Sequence, residues 1–469
     1  MNYRAVLGCA MAIIALVGAA CSDSSMDPPP ASTLPRIEAV RIDANPLNSL
    51  SATVHVRVSG TAEAYLRVTT DSMAAAVSPA LPVAGDSLVL PLLGLYPDTR
   101  NAIRVTAVSA AGDSVTSDVA MFTSGGLPTA LPAISSTFPG GHPDGFTLLG
   151  LVSQVADAPG YAVILDTAGR VVWYRAFPSP IVDFQKQSNG HYTAYSSVDG
   201  SVPHFYEMDN LGRILDEYAA RPGFTTGPHE IRLGEGGYCL FSVEIRDMDL
   251  SALGGRADAR VRGTGVEWHR PGQPAFFWSP FDHFQVSDAA PDISLRERDV
   301  NPWHGNAIDI DKDGHLLVSF RNSDEVAKII VPTGEVMWRF GGENSDFAVV
   351  NDPLNGFSHQ HGIRRLENGN IILFDNGNLH SPPESRAVEY ALDEQAMTAT
   401  LVWEYRHSPI LYGFALGFAQ RLPDGHTLIN YGTAQIVLEV NAAGQRVAEY
   451  AVDDPDYFVY RAFRVPSLY

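Results

Sequence analysis

One turn recurs along the last two thirds of the sequence and limits the folds that the chain can adopt. A polar residue followed by glycine precedes a strand-like run at six places: Asp144-Gly145, Asn189-Gly190, Glu235-Gly236, Asp313-Gly314, Asn368-Gly369 and Asp424-Gly425. A second turn, leading into an aromatic run, alternates with the first at 166–173, 209–218, 269–278, 332–338, 393–403 and 441–450. Repeats of about 45 to 55 residues with four strands each have the size of β-propeller blades. The sequence therefore predicts an all-β fold with a six-bladed β-propeller over 132–469.

The two ends of the repeat array complement each other. Residues 457–467 resemble the first strand of a repeat, whereas the first repeat begins at its second strand. We expect the C-terminal strand to complete the first blade, because closure removes the open sheet edge. The third repeat carries extra residues at about 280–301, which either cap the channel mouth or form an inert surface loop.

A smaller β-sandwich is predicted before the repeats, over 36–124. Short alternating runs there are separated by Gly, Pro, Asp and Asn, a pattern typical of sandwich strands. The segments 95–99 and 103–108 resemble a fibronectin type III module. That similarity is too common to specify a function.

The N-terminus has the features of an export signal. Arg4 precedes an apolar run followed by small residues, so we expect 1–20 to be a signal peptide, too short to cross a bilayer as a stable helix. Cys21 resembles the lipidated cysteine of a bacterial lipobox, although Gly18 replaces the usual Leu; cleavage without lipidation is the alternative. Residues 21–35 are then a lipid-anchored linker. The prediction is an exported cell-envelope lipoprotein, located in the periplasm and anchored to the outer membrane.

Charge and cysteine content narrow the functional classes. The formal net charge of -21 opposes nonspecific binding to nucleic acid. After removal of the signal and lipidation of Cys21, Cys239 has no partner for a disulfide. Its apolar neighbours predict a small core residue.

Three histidines fall at the start of the first strand in successive repeats. They are His229 in Pro228-His229-Glu230, His304 in Trp303-His304-Gly305-Asn306, and His361 in Gln360-His361-Gly362; the sixth repeat has Phe418. The first strand of a blade lines the central channel, so these side chains are expected to converge. Taken singly, each is more often a core or capping residue.

Further polar residues are candidates for the same channel mouth. Arg321 follows the second strand of its hairpin and is expected beside His304, or else on the surface paired with Asp324 or Glu325. By the same count, the hydroxyl of Thr433 is a candidate hydrogen-bond donor or a plain turn residue. His359 shares the strand face of His361. In contrast, the histidines after the turn glycines are interpreted as exposed turn residues: His191, His315 and His426.

Three imidazoles and a guanidinium, with no carboxylate placed among them, suit an anionic substrate such as a sulfate or phosphate ester. An imidazole also acts as a nucleophile near neutral pH. The same histidines are alternatively ligands for zinc or another divalent metal. We predict neither a metal nor a cofactor.

The residue runs around these candidates resemble the bacterial arylsulfate sulfotransferases. The resemblance rests on Trp303-His304-Gly305-Asn306, Ser319-Phe320-Arg321-Asn322, Gln360-His361 and Phe374-Asp375-Asn376-Gly377, and it covers nearly the whole chain. It implies an exported sandwich-plus-propeller enzyme that transfers a sulfuryl group between phenols without a nucleotide donor. It also implies small aryl sulfate and phenol substrates and, by analogy, a homodimer. The disulfide of some family members cannot form here.

The resemblance further implies individual roles. His361 corresponds to the nucleophile that becomes transiently sulfated, and His304, Arg321 and His229 correspond to groups that bind sulfuryl oxygens or handle protons. Asn306 matches the Asn of the family's His-x-Asn and is expected to bind substrate with Thr433. Two rival functions stay open: a metal-dependent propeller hydrolase and a noncatalytic binding propeller at the cell surface.

Overall fold

The computed structural model describes residues 34–469 apart from 71–72, 156–157, 199 and 235–236. The predicted signal peptide, Cys21 and almost all of the predicted linker lie outside these residues, as does the Glu235-Gly236 turn. Within the described part of the chain, no helix is both long and apolar enough to cross a membrane. The only helical segments there are single 3-10 turns, at Ser251–Leu253, Pro280–Asp282, Val286–Asp288, Arg321–Ser323 and Gly432–Ala434.

The N-terminal strands form two sheets around one apolar core. The sheet orders are β1-β2-β6 and β4-β3-β7-β8, with β5 beside β3 and β9 beside β7. Alternate residues of β2 are buried, as expected for a strand with one face on a core. The strands are β1 (Arg36–Ala44), β2 (Ala52–Ser59), β3 (Glu63–Thr70), β4 (Met73–Val77), β5 (Leu81–Pro82), β6 (Ser87–Leu92), β7 (Arg100–Val108), β8 (Ser114–Thr116) and β9 (Ala120–Thr123).

The remaining strands build the repeat region. They are β10 (Ile134–Thr137), β11 (Phe146–Ser153), β12 (Gly160–Leu165), β13 (Val171–Phe177), β14 (Val182–Lys186), β15 (Tyr192–Ser196), β16 (His204–Met208), β17 (Ile214–Tyr218), β18 (Thr225–Gly234), β19 (Gly237–Met248), β20 (Ala259–His269), β21 (Phe276–Trp278), β22 (Asp299–Val300), β23 (Gly305–Ile310), β24 (Leu316–Phe320), β25 (Glu325–Ile329), β26 (Val336–Gly341), β27 (Ala348–Val350), β28 (His361–Arg365), β29 (Ile371–Asp375), β30 (Arg386–Asp393), β31 (Thr398–Arg406), β32 (Phe418–Arg421), β33 (Thr427–Asn430), β34 (Ile436–Val440), β35 (Arg446–Val452) and β36 (Tyr457–Val465).

In the described residues these strands form six sheets, here called blades 1 to 6, each built on four antiparallel strands. The short strands β22 and β27 pair in parallel with β20 and β31 of blades 3 and 5. Their orders are β36-β11-β12-β13, β14-β15-β16-β17, β18-β19-β20-β21, β23-β24-β25-β26, β28-β29-β30-β31 and β32-β33-β34-β35. Contacts join the innermost strands in the ring β36, β14, β18, β23, β28, β32 and back to β36. The sheets therefore surround a common axis, as the sequence predicts for a propeller.

Both ends of the repeat region are paired. The C-terminal strand β36 lies antiparallel to β11 and supplies the innermost strand of blade 1, which confirms the predicted closure. At the other end, β10 adds a fifth strand to blade 6 by pairing with β35. At the described turns of the repeat, Gly145, Gly190, Gly314, Gly369 and Gly425 have φ between 76° and 91°, a left-handed conformation that costs glycine little.

Buried charges fill the channel below the predicted site. Arg461 of β36 makes ion pairs with Asp183 at 2.7 Å and Glu230 at 3.0 Å, and Arg364 binds Glu230 at 2.6 Å. These pairs join blades 1, 2, 3 and 5. Cys239 is fully buried in an apolar cluster, as expected from its neighbours.

Candidate active site

His361 opens β28 and is 3% exposed. Its Nδ1 lies 2.7 Å from Asn376 Oδ1 and 3.1 Å from the carbonyl oxygen of His359. Both neighbours present oxygen acceptors to the ring, so Nδ1 carries the ring proton and Nε2 holds a free lone pair.

The orientation of Asn376 follows from its own contacts. Its Nδ2 donates to the carbonyl oxygens of Gly413 at 2.7 Å and Leu416 at 3.0 Å. An amide oxygen placed there would face two other oxygens, so Oδ1 must point to His361. The tautomer of His361 is thus fixed by contacts that reach into the segment before β32.

His304 holds the opposite tautomer. The backbone N–H of His304 donates to Asn301 Oδ1 at 3.2 Å, so the amide nitrogen of Asn301 is the atom that faces His304 Nδ1 at 2.8 Å. Nδ1 of His304 is therefore an acceptor, and its Nε2 carries the proton. His304 offers a hydrogen-bond donor to a bound anion.

His229 contacts Tyr460 of the C-terminal strand. Its Nδ1 lies 2.7 Å from the Tyr460 hydroxyl, and the same hydroxyl donates to the carbonyl oxygen of His229 at 3.1 Å. The hydroxyl proton is used in the bond to the carbonyl oxygen. The contact with Nδ1 is then a hydrogen bond only if Nδ1 donates its own proton to the phenol oxygen. His229 Nε2 is then unprotonated, like that of His361.

The three rings lie close together. The ring centroids of His229 and His304 are 4.7 Å apart. Burial is the main cause that lowers the pKa of each histidine below 6.5, for His304 to about 3, and the charge of Arg321 or Arg461 adds to it. All three imidazoles are neutral at pH 7.

Arg321 follows β24 and lies beside His304, whose carbonyl oxygen accepts its backbone N–H at 3.0 Å. Its guanidinium donates to Asn322 Oδ1 at 2.7 Å and to the carbonyl oxygen of Phe414 at 3.2 Å. Burial lowers the pKa of Arg321. No described carboxylate pairs with it within 4 Å. A partly desolvated cation without an anion is a favourable place for an anionic ligand.

The alternative pairing of Arg321 with Asp324 or Glu325 is not found among the described ion pairs. Asp324 instead lies against His359, with Oδ1 3.1 Å from Nδ1. Glu325 binds Arg339 at 2.5 Å.

The strand register corrects the predicted equivalence of the histidines. His304 lies six residues before Ile310, and His359 lies six residues before Arg365; Ile310 and Arg365 close their hairpins opposite Leu316 and Ile371. Both histidines also have left-handed backbones, with φ of 52° and 55°. His359 is thus the counterpart of His304, and His361 is the counterpart of Asn306.

The predicted substrate-binding residue Asn306 is fully buried. Its Nδ2 donates to the carbonyl oxygen of Gln360 at 2.7 Å, while no described group bonds its Oδ1. Gln360 in turn donates to Ser319 Oγ at 3.0 Å and to the carbonyl oxygen of Glu325 at 2.9 Å. These contacts hold the start of β28 against blade 4.

Thr433 lies in the 3-10 turn after β33, one residue beyond the position equivalent to Arg321 and Asn376. Its backbone N–H donates to the carbonyl oxygen of Ala415 at 3.2 Å, and its buried Oγ1 has no described partner. The structure therefore places Thr433 against the segment that also binds Asn376.

The histidines after the turn glycines are not simply exposed. Nδ1 of His191 lies 2.5 Å from Glu207, and Nδ1 of His426 lies 2.8 Å from Glu439. His315 Nδ1 accepts the backbone N–H of Val331 at 3.3 Å. They serve as bridges between neighbouring strands at the outer ends of the hairpins.

The insertion at 280–301 packs beside the site. Asp292 Oδ2 lies 3.2 Å from Nε2 of His359, which is 1% exposed. The backbone N–H of Ala290 donates to the carbonyl oxygen of Asn322 at 2.7 Å. These contacts place the insertion against the start of β28 and the turn after β24.

Sequence reasoning missed the amides that orient the site and one further cation. Asn301 and Asn376 fix tautomers, and Asn322 binds Arg321. Arg262 of β20 contributes to the lowered pKa of His229 and of His304. Asn322 and Asn376 lay within recognised motifs, which was a usable signal, although no role was assigned to them. Arg262 had no such signal, because its strand joins the site only through the fold.

One group of potential metal ligands converges in the described residues, and it lies away from the three histidines. It consists of Asp424, His426 and Glu439. Arg464 already binds Glu439 at 2.7 Å. That ion pair balances the charge of the Glu439 carboxylate without a metal.

The family comparison agrees with this geometry. Residues 137–460 match the family model described as Arylsulfotransferase (ASST). The chain belongs to the arylsulfotransferase family. Membership in this family supports a general aryl sulfotransferase activity, and the matched residues include all three histidines and Arg321.

The other comparisons gave only low similarity. No curated protein matches the sequence. A protein of unknown function from Bacteroides caccae is 13% identical over 69% of this chain and 100% of its own, with a TM-score of 0.44. A catalytically inactive virginiamycin B lyase from Staphylococcus aureus, solved with quinupristin, is 9% identical over 68% of this chain and 89% of its own, with a TM-score of 0.36.

Proposed function

We propose that this arylsulfotransferase moves a sulfuryl group from an aryl sulfate ester to a phenol through a sulfated His361, without a nucleotide donor. The observation that carries the proposal is the free lone pair on His361 Nε2. It follows from the contacts of Nδ1 with Asn376 and with the carbonyl oxygen of His359. A neutral imidazole with a fixed tautomer is a competent nucleophile.

In the first half-reaction, Nε2 of His361 attacks sulfur and the bond from sulfur to the aryl oxygen breaks. The bond electrons leave with the phenolate, and the imidazole becomes an N-sulfonated imidazolium that keeps its Nδ1 proton. Asn376 Oδ1 accepts that proton in a hydrogen bond and stabilises the positive ring. No further reactant is required.

In this proposal two groups stabilise the negative charge on the sulfuryl oxygens. Arg321 supplies a guanidinium without a carboxylate partner, and His304 supplies the Nε2 proton defined by Asn301. Donors that are oriented before the reaction lower the barrier, because they do not have to reorganise as charge develops.

The second half-reaction returns the enzyme to its starting state. An acceptor phenol loses its proton, attacks sulfur, and breaks the bond to His361 Nε2. We assign His229 Nε2 as the base that accepts this proton, because Nδ1 of the same ring is hydrogen-bonded to the Tyr460 hydroxyl. The protonated His229 then passes its proton to solvent or to the released phenolate.

The proposal also covers the cellular location of the enzyme. A signal peptide at 1–20 and lipidation of Cys21 would place the enzyme in the cell envelope, where no nucleotide donor is needed. Membrane fractionation of the native chain and of Cys21→Ser tests this: the substitution is expected to release the protein, and equal membrane retention would contradict lipidation.

The test of the chemistry uses 4-nitrophenyl sulfate with and without phenol. We expect phenol-dependent release of nitrophenolate, and a sulfated peptide containing His361 when phenol is omitted. His361→Asn should abolish both, whereas His315→Asn, at an outer turn, should retain them. Hydrolysis that stops on chelation and yields no phenyl sulfate would instead establish a metal-dependent hydrolase.

A further inference from the structure

The segment 407–417, between β31 and β32, exposes alternate apolar side chains. Ile410 is 54% exposed, Tyr412 38% and Phe414 51%, whereas Gly413 between them is buried. A methyl group added to Gly413 would lie 2.1 Å from the carbonyl oxygen of Tyr431, so the backbone is pressed against blade 6. Large apolar groups turned to solvent by a fixed backbone often mark a binding surface.

The backbone of this segment is hydrogen-bonded to residues of the proposed sulfuryl-transfer site. The carbonyl oxygen of Phe414 accepts from Arg321 at 3.2 Å and from Asn378 at 3.1 Å. The carbonyl oxygen of Gly413 accepts from Asn376 at 2.7 Å. The segment that carries the exposed aromatic rings is therefore bonded through its backbone to both the anion-binding guanidinium and the amide that orients His361.

The segment also spans the channel mouth. Phe414 reaches Arg321 in blade 4 through its carbonyl oxygen, and its ring packs edge-on against Phe458 of blade 1, with centroids 6.4 Å apart. Blades 1 and 4 stand opposite each other in the ring. Tyr412 lies within electrostatic reach of Arg321 and of Asp292 in the insertion.

We propose that Tyr412 and Phe414 form the binding site for the aromatic ring of the aryl sulfate, and that they make the enzyme prefer apolar aryl groups. This inference rests on the proposed function, because it places the ring beside the sulfuryl group that His361 receives. An aryl sulfate has a charged end and an apolar end, and Arg321 with these two rings offers the matching pair. Contacts between aromatic rings stabilise binding beyond the effect of the apolar area that they bury.

Binding of a nontransferable analogue separates this site from the chemistry. The probe is naphthalene-2-sulfonate, whose carbon–sulfur bond His361 cannot break, and inorganic sulfate is the reference ligand. For Tyr412→Ala/Phe414→Ala we expect the Kd for naphthalene-2-sulfonate to rise roughly tenfold or more. The Kd for sulfate should change less than twofold. Phe277→Ala, which removes another exposed phenylalanine from the outer strand β21, should leave both values unchanged.

Three results would overturn the inference. They are no binding of naphthalene-2-sulfonate to the native chain, an unchanged Kd in the double variant, and an equal loss of sulfate affinity, which would indicate collapse of the segment. Failure of the proposed function looks different: the analogue binds through Tyr412 and Phe414, yet no sulfated His361 forms from any aryl sulfate. Phe414→Leu should recover part of the affinity, because it restores apolar contact area.

Discussion

The reactivity of His361 depends on which of its two nitrogens carries the proton. Asn376 Oδ1 accepts a hydrogen bond from the proton on Nδ1. The amide N–H groups of Asn376 donate to the carbonyl oxygens of Gly413 and Leu416. His304, with Asn301 as donor, has the reverse arrangement. One histidine is therefore prepared to attack and the other to donate, although their side chains are chemically identical.

Substituting Asn376 by leucine should slow sulfation of His361 by on the order of 100-fold, because the reactive tautomer and ring orientation are no longer held. Quench-flow measurement of the sulfated His361 peptide reports this step directly. The matched control is Asn430→Leu, which also removes a buried amide bridging two carbonyl oxygens. It should lower thermal stability with a much smaller change in sulfation; equal rates for native and Asn376→Leu protein would contradict the role of Asn376.

The lowered pKa values predict an unusual pH profile. Because the three histidines are neutral in the folded protein, the sulfation rate should show no inflection near 6.5 between pH 8 and pH 5. The unfolded chain binds these protons at about pH 6.5, so the stability that depends on the neutral histidines is fully present above that pH and is lost as the pH falls below it, for His304 down to its folded pKa of about 3. Quench-flow rates and melting temperatures against pH check both parts. His304→Asn should lose part of the pH dependence of stability, and an inflection of the native rate at pH 6.5 would show that the nucleophile titrates normally.

At the scale of elements, two additions to the blades converge on the start of β28. The insertion at 280–301 supplies Asp292, and the turn after β24 supplies Asp324; both carboxylates contact His359. The backbone N–H of His359 also donates to Asp324 at 2.6 Å, and its carbonyl oxygen faces His361 Nδ1. The insertion therefore helps to hold the carbonyl oxygen that orients the nucleophile.

Removing the carboxylate charge with Asp292→Asn should lower kcat about tenfold and change KM for the aryl sulfate much less, because the nucleophile is less well oriented while the groups that contact the substrate are retained. Asp282→Asn, in the same insertion but exposed, is the control and should behave like the native enzyme. A rise in KM with constant kcat would instead assign Asp292 to substrate binding.

At the scale of the whole molecule, β36 carries three functions in one strand. It closes blade 1, it places Arg461 on the buried carboxylates, and it brings Tyr460 to His229. The residues that follow it, Leu468 and Tyr469, pack with Leu93 of the sandwich. Closure, channel packing and the site are thus stabilised together.

Truncation after Asp456 should prevent cooperative folding, because it exposes the edge of β11 and leaves Asp183 and Glu230 without Arg461. The control deletes only 467–469 and retains β36. We expect this shorter deletion to keep a cooperative thermal transition by circular dichroism, and the longer one to lose it. A cooperative, monomeric product of the longer deletion would show that the ring does not depend on its C-terminal strand.

The sequence alone determined the repeat architecture and the chemistry of the main side chains. Turn glycines, strand spacing and the repeat-like C-terminus are local features of the sequence. The six repeats and their closure could therefore be predicted from the order of these features along the chain. His361 and Arg321 were recognisable from their motifs. The tertiary structure decided what the order could not: that His359, not His361, is the counterpart of His304, that Asn376 and Asn301 choose opposite tautomers, and that 280–301 and 407–417 reach the site. The equivalence of the histidines depends on strand register and the tautomers on side-chain contacts within the folded hairpins, whereas 280–301 and 407–417 reach the site through contacts with other blades.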